Sequence, residues 1–272
     1  MQPFTALTIA GSDSGGGAGI QADLRTFSAF EVHGTCAVTA VTAQNTIGVQ
    51  AIAAIDADLV VAQVRSVLDD FDVAAVKTGM LAQPSTVEAV AELARANEFS
   101  HLVVDPVLVS STGHLLMSVG GVRAYRDALL PYADVVTPNL HEAAALAGTE
   151  VGDVHDEDDM VNLARVILAL GPRYVLVKGG HFAAMTHADR APDVMVSAEG
   201  VTVFDAVRVD TDNDHGTGCS LSAALAVGLG LGRGVEDATR DAKSFVLAAL
   251  TSARTWRLGH GRGPIDHLGW NT

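Results

Sequence analysis

The chain has 272 residues, 49% of them hydrophobic and 5% aromatic, with a formal charge of −15 from 17 basic and 32 acidic side chains. That balance argues against broad binding to nucleic acid or to an anionic membrane surface, and no apolar run approaches the roughly 20 residues that span a bilayer. The length and a composition rich in Ala, Val and Leu suit one large α/β domain over residues 1–272, with helices packed on a buried, mainly parallel sheet.

Cys36 and Cys219 form no zinc or disulfide spacing, and the first residues lack the basic stretch of a signal peptide, so a reducing cytoplasm is the expected location. Only three basic residues are lysines, Lys77, Lys178 and Lys243. In a chain that otherwise uses arginine, a lysine hints at a compact charge of the kind found in phosphate sites.

Phe4 to Ala10 reads as a buried strand, followed by a Gly-rich loop from Gly11 to Gly19 and a helix from Ile20 to Phe30. The loop lacks the third glycine and the distant acidic residue of a dinucleotide site, and no Gly-Lys-Ser/Thr of a P-loop occurs anywhere. It either offers backbone donors to a ligand or is a tight connection without one. Cys36 to Ala43 is the second strand, with Cys36 expected in the core. It ends in Gln44-Asn45, at the carboxyl edge where open α/β sheets bind ligands. A glutamine there both donates and accepts, as recognition of a nitrogen heterocycle requires; solvated strand-end polarity is the alternative.

Asp58 to Phe71 has helical spacing, and the strand Val73 to Val76 delivers Lys77-Thr78-Gly79-Met80 to the same edge. Pro84 to Asn97 repeats the helix and Leu102 to Val104 the strand, ending in Asp105-Pro106. Asp105 is a metal or phosphate-site candidate, or a turn former. The segment Val107 to Ser118, with Ser110-Ser111-Thr112-Gly113-His114, is a flap or an ordinary surface loop.

Gly121 to Leu130 looks helical and Ala133 to Val136 strand-like, after which Thr137-Pro138-Asn139-Leu140-His141-Glu142 opens a helix. Asn139 and Glu142 have capping-box spacing, and the same carboxylate could instead organise magnesium-bound water. A surface helix begins at Asp156 to Asp159, Tyr174 to Val177 is a strand, and Lys178-Gly179-Gly180-His181 follows it. Asp193 to Ala198 and Val201 to Val209 read as an antiparallel hairpin. The run Asn213 to Leu225 contains His215-Gly216-Thr217-Gly218-Cys219, a turn opening a helix whose first N–H groups can hold an anion. A thiol in that field is expected to have a lowered pKa. Val235 to Arg254 is a last helix carrying Lys243, and Gly259 to Gly263 a terminal loop.

Taken together, Ala10-Gly11-Ser12-Asp13 through Gly19-Ile20-Gln21-Ala22-Asp23, Ala43-Gln44-Asn45-Thr46, Lys77-Thr78-Gly79-Met80-Leu81, Thr137-Pro138-Asn139-x-x-Glu142, Lys178-Gly179-Gly180-His181 and His215-Gly216-Thr217-Gly218-Cys219 form a set. From about Leu7 to Gly263 the chain resembles the hydroxymethylpyrimidine and phosphomethylpyrimidine kinases of thiamin synthesis, within the ribokinase-like superfamily. The resemblance implies a three-layer α/β fold and usually a homodimer. It also implies ATP-dependent phosphorylation of the hydroxymethyl group and then of the monophosphate, with Mg2+.

By motif position it implies that Asp23 and Gln44 hold the aminopyrimidine, with Met80 and Gly11 bordering it. Asp105 and Glu142 would organise Mg2+, Lys178 would neutralise the transferring phosphate, and Lys178, Asn139 and Lys243 would meet the nucleotide. Gly216 and Gly218 would shape an anion hole, and Cys219, where most sugar kinases of the superfamily have aspartate, would be the base. Asp214 stands where the family often has a hydroxyl residue and adds negative charge near the phosphate position. Residues 181–193 do not align securely. A pyridoxal-type vitamin kinase and a non-catalytic pyrimidine sensor are the alternatives.

Overall fold

The apolar runs of the sequence are short and end in glycine or a polar residue, so the parallel strands stop at a polar edge. In this computed structural model, which describes residues 4–108, 117, 119–180 and 189–271, the strands form one sheet. They are β1 (Thr5–Asp13), β2 (His33–Asn45), β3 (Gly48–Ala54), β4 (Val73–Thr78), β5 (Leu102–Val104), β6 (Val135–Val136), β7 (Tyr174–Lys178), β8 (Asp193–Ser197) and β9 (Gly200–Phe204). The order is β3-β2-β1-β4-β5-β6-β7-β8-β9. From β2 to β7 all pairings are parallel, and antiparallel strands flank them on both sides. The chain leaves β1 toward β2 and later returns on the other side of β1 as β4. The crevice beyond the carboxyl ends of β1 and β4 is therefore the topological switch point, the place where such sheets bind ligands.

Strand alternation sends neighbouring residues to opposite faces. Val104 and Val136 pack with Val60 and Val64 of α2 (Ala57–Leu68), Val87 and Val90 of α3 (Pro84–Arg95), and Met160 and Ile167 of α6 (Glu157–Leu168). Val103 and Val135 point the other way, to Leu221, Leu225 and Leu229 of α7 (Thr217–Gly230) and Ala242 and Val246 of α8 (Val235–Ala253). Phe27 of α1 (Gly19–Ala29) joins α7 through Ala223 and Val227. Helix, sheet and helix make the three expected layers. Ser220 to Leu229 are all buried, so α7 is apolar nearly all round and its polar business is confined to its first turn.

Most elements match the sequence reading to within a few residues, and the departures have local causes. The strand β3 is not expected from GVQAIAA, whose small side chains are half-buried or exposed and do not alternate. Its turn was legible: Asn45 Oδ1 accepts from the N–H groups of Ile47 and Gly48, the habit of asparagine opening a turn that closes on glycine. The helix expected over 121–130 is α4 (Val119–Ala124), which loosens into a π-turn at Tyr125–Leu129 and a 3-10 turn at Leu130–Tyr132, where Pro131 has no N–H to continue the ladder. The second hairpin strand stops at Phe204 rather than Val209, and Cys36 is half-buried rather than core. α5 (Leu140–Ala147) starts at Asn139 as its cap. The stretch Ser110 to His114 and His181 lie outside the described residues.

The tail does not behave as a loose loop. Gly261 N–H and His260 N–H donate to Thr46 Oγ1, Arg262 N–H donates to Thr46 O, and His215 N–H donates to Gly263 O. Beyond this strap, His267 is 5% exposed and its Nε2 lies 2.8 Å from Ser220 Oγ, whose hydroxyl donates to Gly216 O and so accepts from the imidazole. Burial, with nearby Arg25 adding to it, depresses the His267 pKa to about 4. The unfolded chain binds this proton from about pH 6.5 downward and the fold does not, so stability is lost as pH falls from 6.5 toward 4. The loss is on the order of 1 kcal/mol at pH 5.5 and approaches about 3 kcal/mol below pH 4. Urea titrations of the protein and of His267→Phe at pH 7.5 and 5.5 check it, since the variant is expected to lack this component.

Candidate active site

The strand ends and the start of α7 enclose a cavity of about 820 Å³. That volume accommodates a small ring together with a nucleotide.

At the end of β1, Asp13 is 3% exposed and gathers the Gly-rich loop around its carboxylate. Oδ1 accepts from Gly15 N–H, and Oδ2 accepts from Gly17 N–H and Ala18 N–H. His215 Nε2 reaches the same Oδ2 at 2.9 Å. Desolvation opposes the charge, but the bonds from His215 and Ala18 outweigh it and hold the carboxyl below the usual carboxylate range. Those three loop donors are taken up by Asp13, as in a tight connection, while Gly11, Ser12, Ala18 and Gly19 still border the cavity. Gly216 takes φ +89°, and a Cβ on it would strike Gly17 O, so the loop and the start of α7 touch backbone to backbone.

Beneath the pocket, Lys77 Nζ lies 2.9 and 2.8 Å from the two oxygens of Asp23, and Thr8 Oγ1 donates to Asp23 Oδ2 at 2.6 Å. Both charged side chains are fully buried. Burial raises the Asp23 pKa despite Lys77, while its carboxylate partner keeps Lys77 charged against its own desolvation. This corrects the expectation for Asp23, which was to hold the ring. It is enclosed by Lys77 and Thr8 and does not border the cavity, whereas Gln44, Met80 and Gly11 do. Gly11 has no room for a Cβ because Met80 Cε occupies the space.

On the other side, Lys178 Nζ is 2.7 Å from Asp105 Oδ1 and only 3.1 Å from where a Cβ on Gly218 would stand. The ammonium therefore sits against the opening turn of α7, adding a full charge to the partial charge of the helix terminus. Desolvation disfavours that charge, but Asp105 and Glu142 more than compensate and raise the Lys178 pKa. Asn139 and Glu142 form the capping box, with Asn139 N–H to Glu142 Oε2 at 2.8 Å and Glu142 N–H to Asn139 Oδ1 at 3.0 Å. Both also line the cavity. Desolvation, relieved in part by Lys178, lifts Glu142 to about 7.

Lys243 lines the cavity too, but its ammonium is engaged by Asp193 and Ala191 O, and Asp193 also accepts from Gly179 N–H. Asp214 is neutralised: Arg262 of the strap forks onto its carboxylate. Cys219 requires a second correction. It lines the cavity and is partly accessible, but it lies deep, and burial together with Asp105 and Asp23 outweighs Lys77 and pushes the thiol up to about 11. The helix terminus does not make a resting thiolate. Alkylation of Cys219 by iodoacetamide is accordingly expected to rise with pH up to about 11. A plateau near pH 8.5, as for a free cysteine, would count against this environment.

Asp13, His215, Arg262 and Asp193 carry much of the geometry and were not singled out from the sequence. His215 and Asp13 did lie inside quoted motifs; Arg262 and Asp193 have no local signal, since their partners are 48 and 50 residues away.

An open α/β sheet whose switch-point cavity holds a lysine at a helix N-terminus, two carboxylates and a heterocycle-sized apolar wall defines a phosphotransferase of small molecules. The family model described as phosphomethylpyrimidine kinase matches residues 13–266. A hydroxymethylpyrimidine/phosphomethylpyrimidine kinase of Streptomyces coelicolor is 47% identical over 270 residues, covering 99% of this chain and 96% of the relative. The protein of the same name from Escherichia coli is 43% identical over 268 residues, 98% of each chain. Among solved structures, the Staphylococcus aureus pyridoxal kinase in complex with AMP-PCP and pyridoxal superposes with a TM-score of 0.87 at 31% identity, covering 100% of this chain and 96% of that one. The chain belongs to the phosphomethylpyrimidine kinase family.

Proposed function

We propose that the protein is an ATP-dependent kinase that phosphorylates 4-amino-5-hydroxymethyl-2-methylpyrimidine and then its monophosphate, giving the pyrophosphate used in thiamin biosynthesis. The observation that carries this reading is the position of Lys178 Nζ against the first turn of α7, in one cavity with Gln44 and Met80. A fixed cation and a helix terminus meet the charge that builds up on a transferring phosphoryl group, and the neighbouring wall receives a flat ring.

In the first reaction the hydroxymethyl oxygen bonds to the γ-phosphorus, the bond to the ADP oxygen breaks, and the hydroxyl proton passes to a phosphoryl oxygen or to water. Gly216 and Gly218 put no side chain over the α7 turn where phosphoryl oxygens would approach, Thr217 N–H being taken by Asp214 O, and Lys178 would offset their charge. Asn139, Lys178 and Lys243 are the proposed nucleotide contacts. The donor set suits Mg2+: Asp105 and Glu142 are hard oxygen ligands, buried at the cavity wall, and this ion commonly takes one or two carboxylates with waters and substrate phosphates. When bound it would neutralise phosphate charge there. Among the described residues no group of three or more His, Cys, Asp or Glu side chains stands ready as a metal cage, in keeping with an ion held largely by waters and nucleotide.

A thiol at about 11 is almost wholly protonated at neutral pH. Proton loss then accompanies or follows a loose phosphoryl transfer instead of preceding it. Cys219→Ala is therefore expected to slow the first phosphorylation by at most about tenfold, short of the roughly 10²- to 10⁴-fold of a fully activated base. The second step, whose acceptor is already an anionic phosphate oxygen, should change less; single-turnover assays of each step separate them.

A product assay with ATP, Mg2+ and the hydroxymethylpyrimidine tests the whole reading: monophosphate followed by pyrophosphate is expected, and monophosphate alone would restrict it to one step. Pyridoxal is the second acceptor to compare, because of the close structural likeness to a pyridoxal kinase. Absence of product with either would favour a non-catalytic sensor. The continuous sheet supports reading residues 1–272 as one domain. Two free cysteines and the absence, among the described residues, of a helix able to cross a membrane are in keeping with the cytoplasm. A homodimer is proposed as well; Val41, exposed on β2, and Ile47, exposed in the turn after it, offer apolar surface for it, and light scattering measures the mass.

A further inference from the structure

Gln44 reaches the cavity from the end of β2, and two polar groups hold its amide. Its Nε2 position is 3.3 Å from His215 Nε2, and its Oε1 position is 3.2 Å from Thr42 Oγ1. Written that way, the network contains two conflicts. Asp13 is a buried carboxylate, an acceptor only, so the imidazole nitrogen 2.9 Å from its Oδ2 carries a proton. That nitrogen then has no lone pair for an N–H of Gln44. Thr42 has a single hydroxyl proton, yet it faces both Ser12 O at 3.0 Å and the Gln44 oxygen.

Turning the amide by 180° removes both conflicts at once. The oxygen of Gln44 then accepts from His215 Nε2–H, shared with Asp13. The amide nitrogen donates to Thr42 Oγ1, whose own proton goes to Ser12 O. Neither Thr42 nor His215 is then asked for a proton or lone pair it lacks, and the orientation is decided by proton count, as amide orientations must be.

We propose that His215 is a positioning residue that locks the Gln44 amide in this turned orientation and thereby selects a ring edge carrying a hydrogen-bond donor beside an acceptor. The selection follows from what the locked amide has left. One lone pair on its oxygen and one N–H remain, side by side, for a ligand. An aminopyrimidine offers an amino group next to a ring nitrogen and matches both. A ring without that adjacent pair leaves a polar group of the amide unmatched in a partly buried wall, and sites built to hydrogen-bond reject such ligands strongly. Asp13 is the anchor of the arrangement: its three backbone donors hold it in place, and it in turn fixes which imidazole nitrogen faces Gln44.

This inference rests on the proposed role of Gln44 at the substrate ring, and the tests keep the two apart. Nitrogen-15 spectroscopy of the imidazole in the free protein is expected to find Nε2 protonated; a neutral ring protonated only at Nδ1 would overturn the lock whatever the substrate is. In steady-state assays, His215→Phe keeps a flat ring against Gly17 but removes the donor. It is expected to raise KM for the hydroxymethylpyrimidine about tenfold, with kcat within about threefold and KM for ATP unchanged, the pattern of lost ground-state binding. Thr42→Val, which removes the other support, should raise the same KM a few-fold. In a Gln44→Leu background neither change should add more than about twofold. An equal rise without Gln44, or a loss confined to kcat or to KM for ATP, would assign His215 to the shape of the α7 turn instead and sink the proposal. Failure of the unaltered protein to turn over the pyrimidine would count against the proposed function and leave the proton assignment to decide the lock.

Discussion

Lys178→Met is expected to lower kcat for both phosphorylations by about 10²- to 10³-fold, the range measured when one fixed charge-stabilising donor is taken from a transition state. Lys178 Nζ lies against Gly218 in the α7 turn and is held there by Asp105 at 2.7 Å. Neither of the other two lysines stands at Gly218: Lys77 lies on Asp23 and Lys243 on Asp193. The charge is needed most when phosphoryl oxygens lose their bond to the leaving group, so KM for the pyrimidine should change little. Rapid-quench measurement of each step, with thermal melts as a control for folding, checks this. A variant retaining more than about a tenth of the wild-type rate would remove Lys178 from the transition state.

The second large effect concerns stability. Asp23→Ala is expected to destabilise the fold by about 3–5 kcal/mol, because it leaves the Lys77 ammonium buried without its counter-charge. A residue that merely touched substrate would raise KM and leave the unfolding midpoint in place. The double variant Asp23→Leu with Lys77→Met removes both charges and should recover much of the loss, since an apolar pair can replace a buried ion pair at little cost. Urea unfolding of Asp23→Leu, Lys77→Met and the double variant provides the cycle. An Asp23→Ala protein with unchanged stability and a raised KM would restore the role that its motif suggested.

These two residues mark how far the sequence could be read. Polar groups at strand ends were legible because each follows a short apolar run, and a parallel sheet brings all such ends to one edge; Gln44, Met80, Asp105, Lys178 and the α7 turn were found that way. What a strand-end group touches is decided across the sheet, and no spacing carries it. Asp23 is on a helix, 54 residues before the lysine that encloses it. The Cys219 thiol was judged from the helix terminus, which favours the thiolate, whereas burial and the nearby Asp105 and Asp23 carboxylates favour the thiol and prevail. Asp13 was read as one more polar letter in a glycine-rich loop. Only the folded loop reveals it as the centre on which Gly15, Gly17, Ala18 and His215 converge.

The strap from Gly259 to Gly263 also bears on how the molecule comes into being. Its bonds to Thr46 join residues 215 apart in the chain, and His215, the partner of Asp13, has its own N–H held by Gly263. Closing so long a loop is entropically unfavourable until much of the sheet is in place, and contacts of this span form late. During synthesis the sheet and its early helices can assemble while the α7 turn still lacks its buttress. The cavity is therefore expected to be the last part of the protein to take shape, and a nascent chain released before Arg262 would carry a folded scaffold without a finished site.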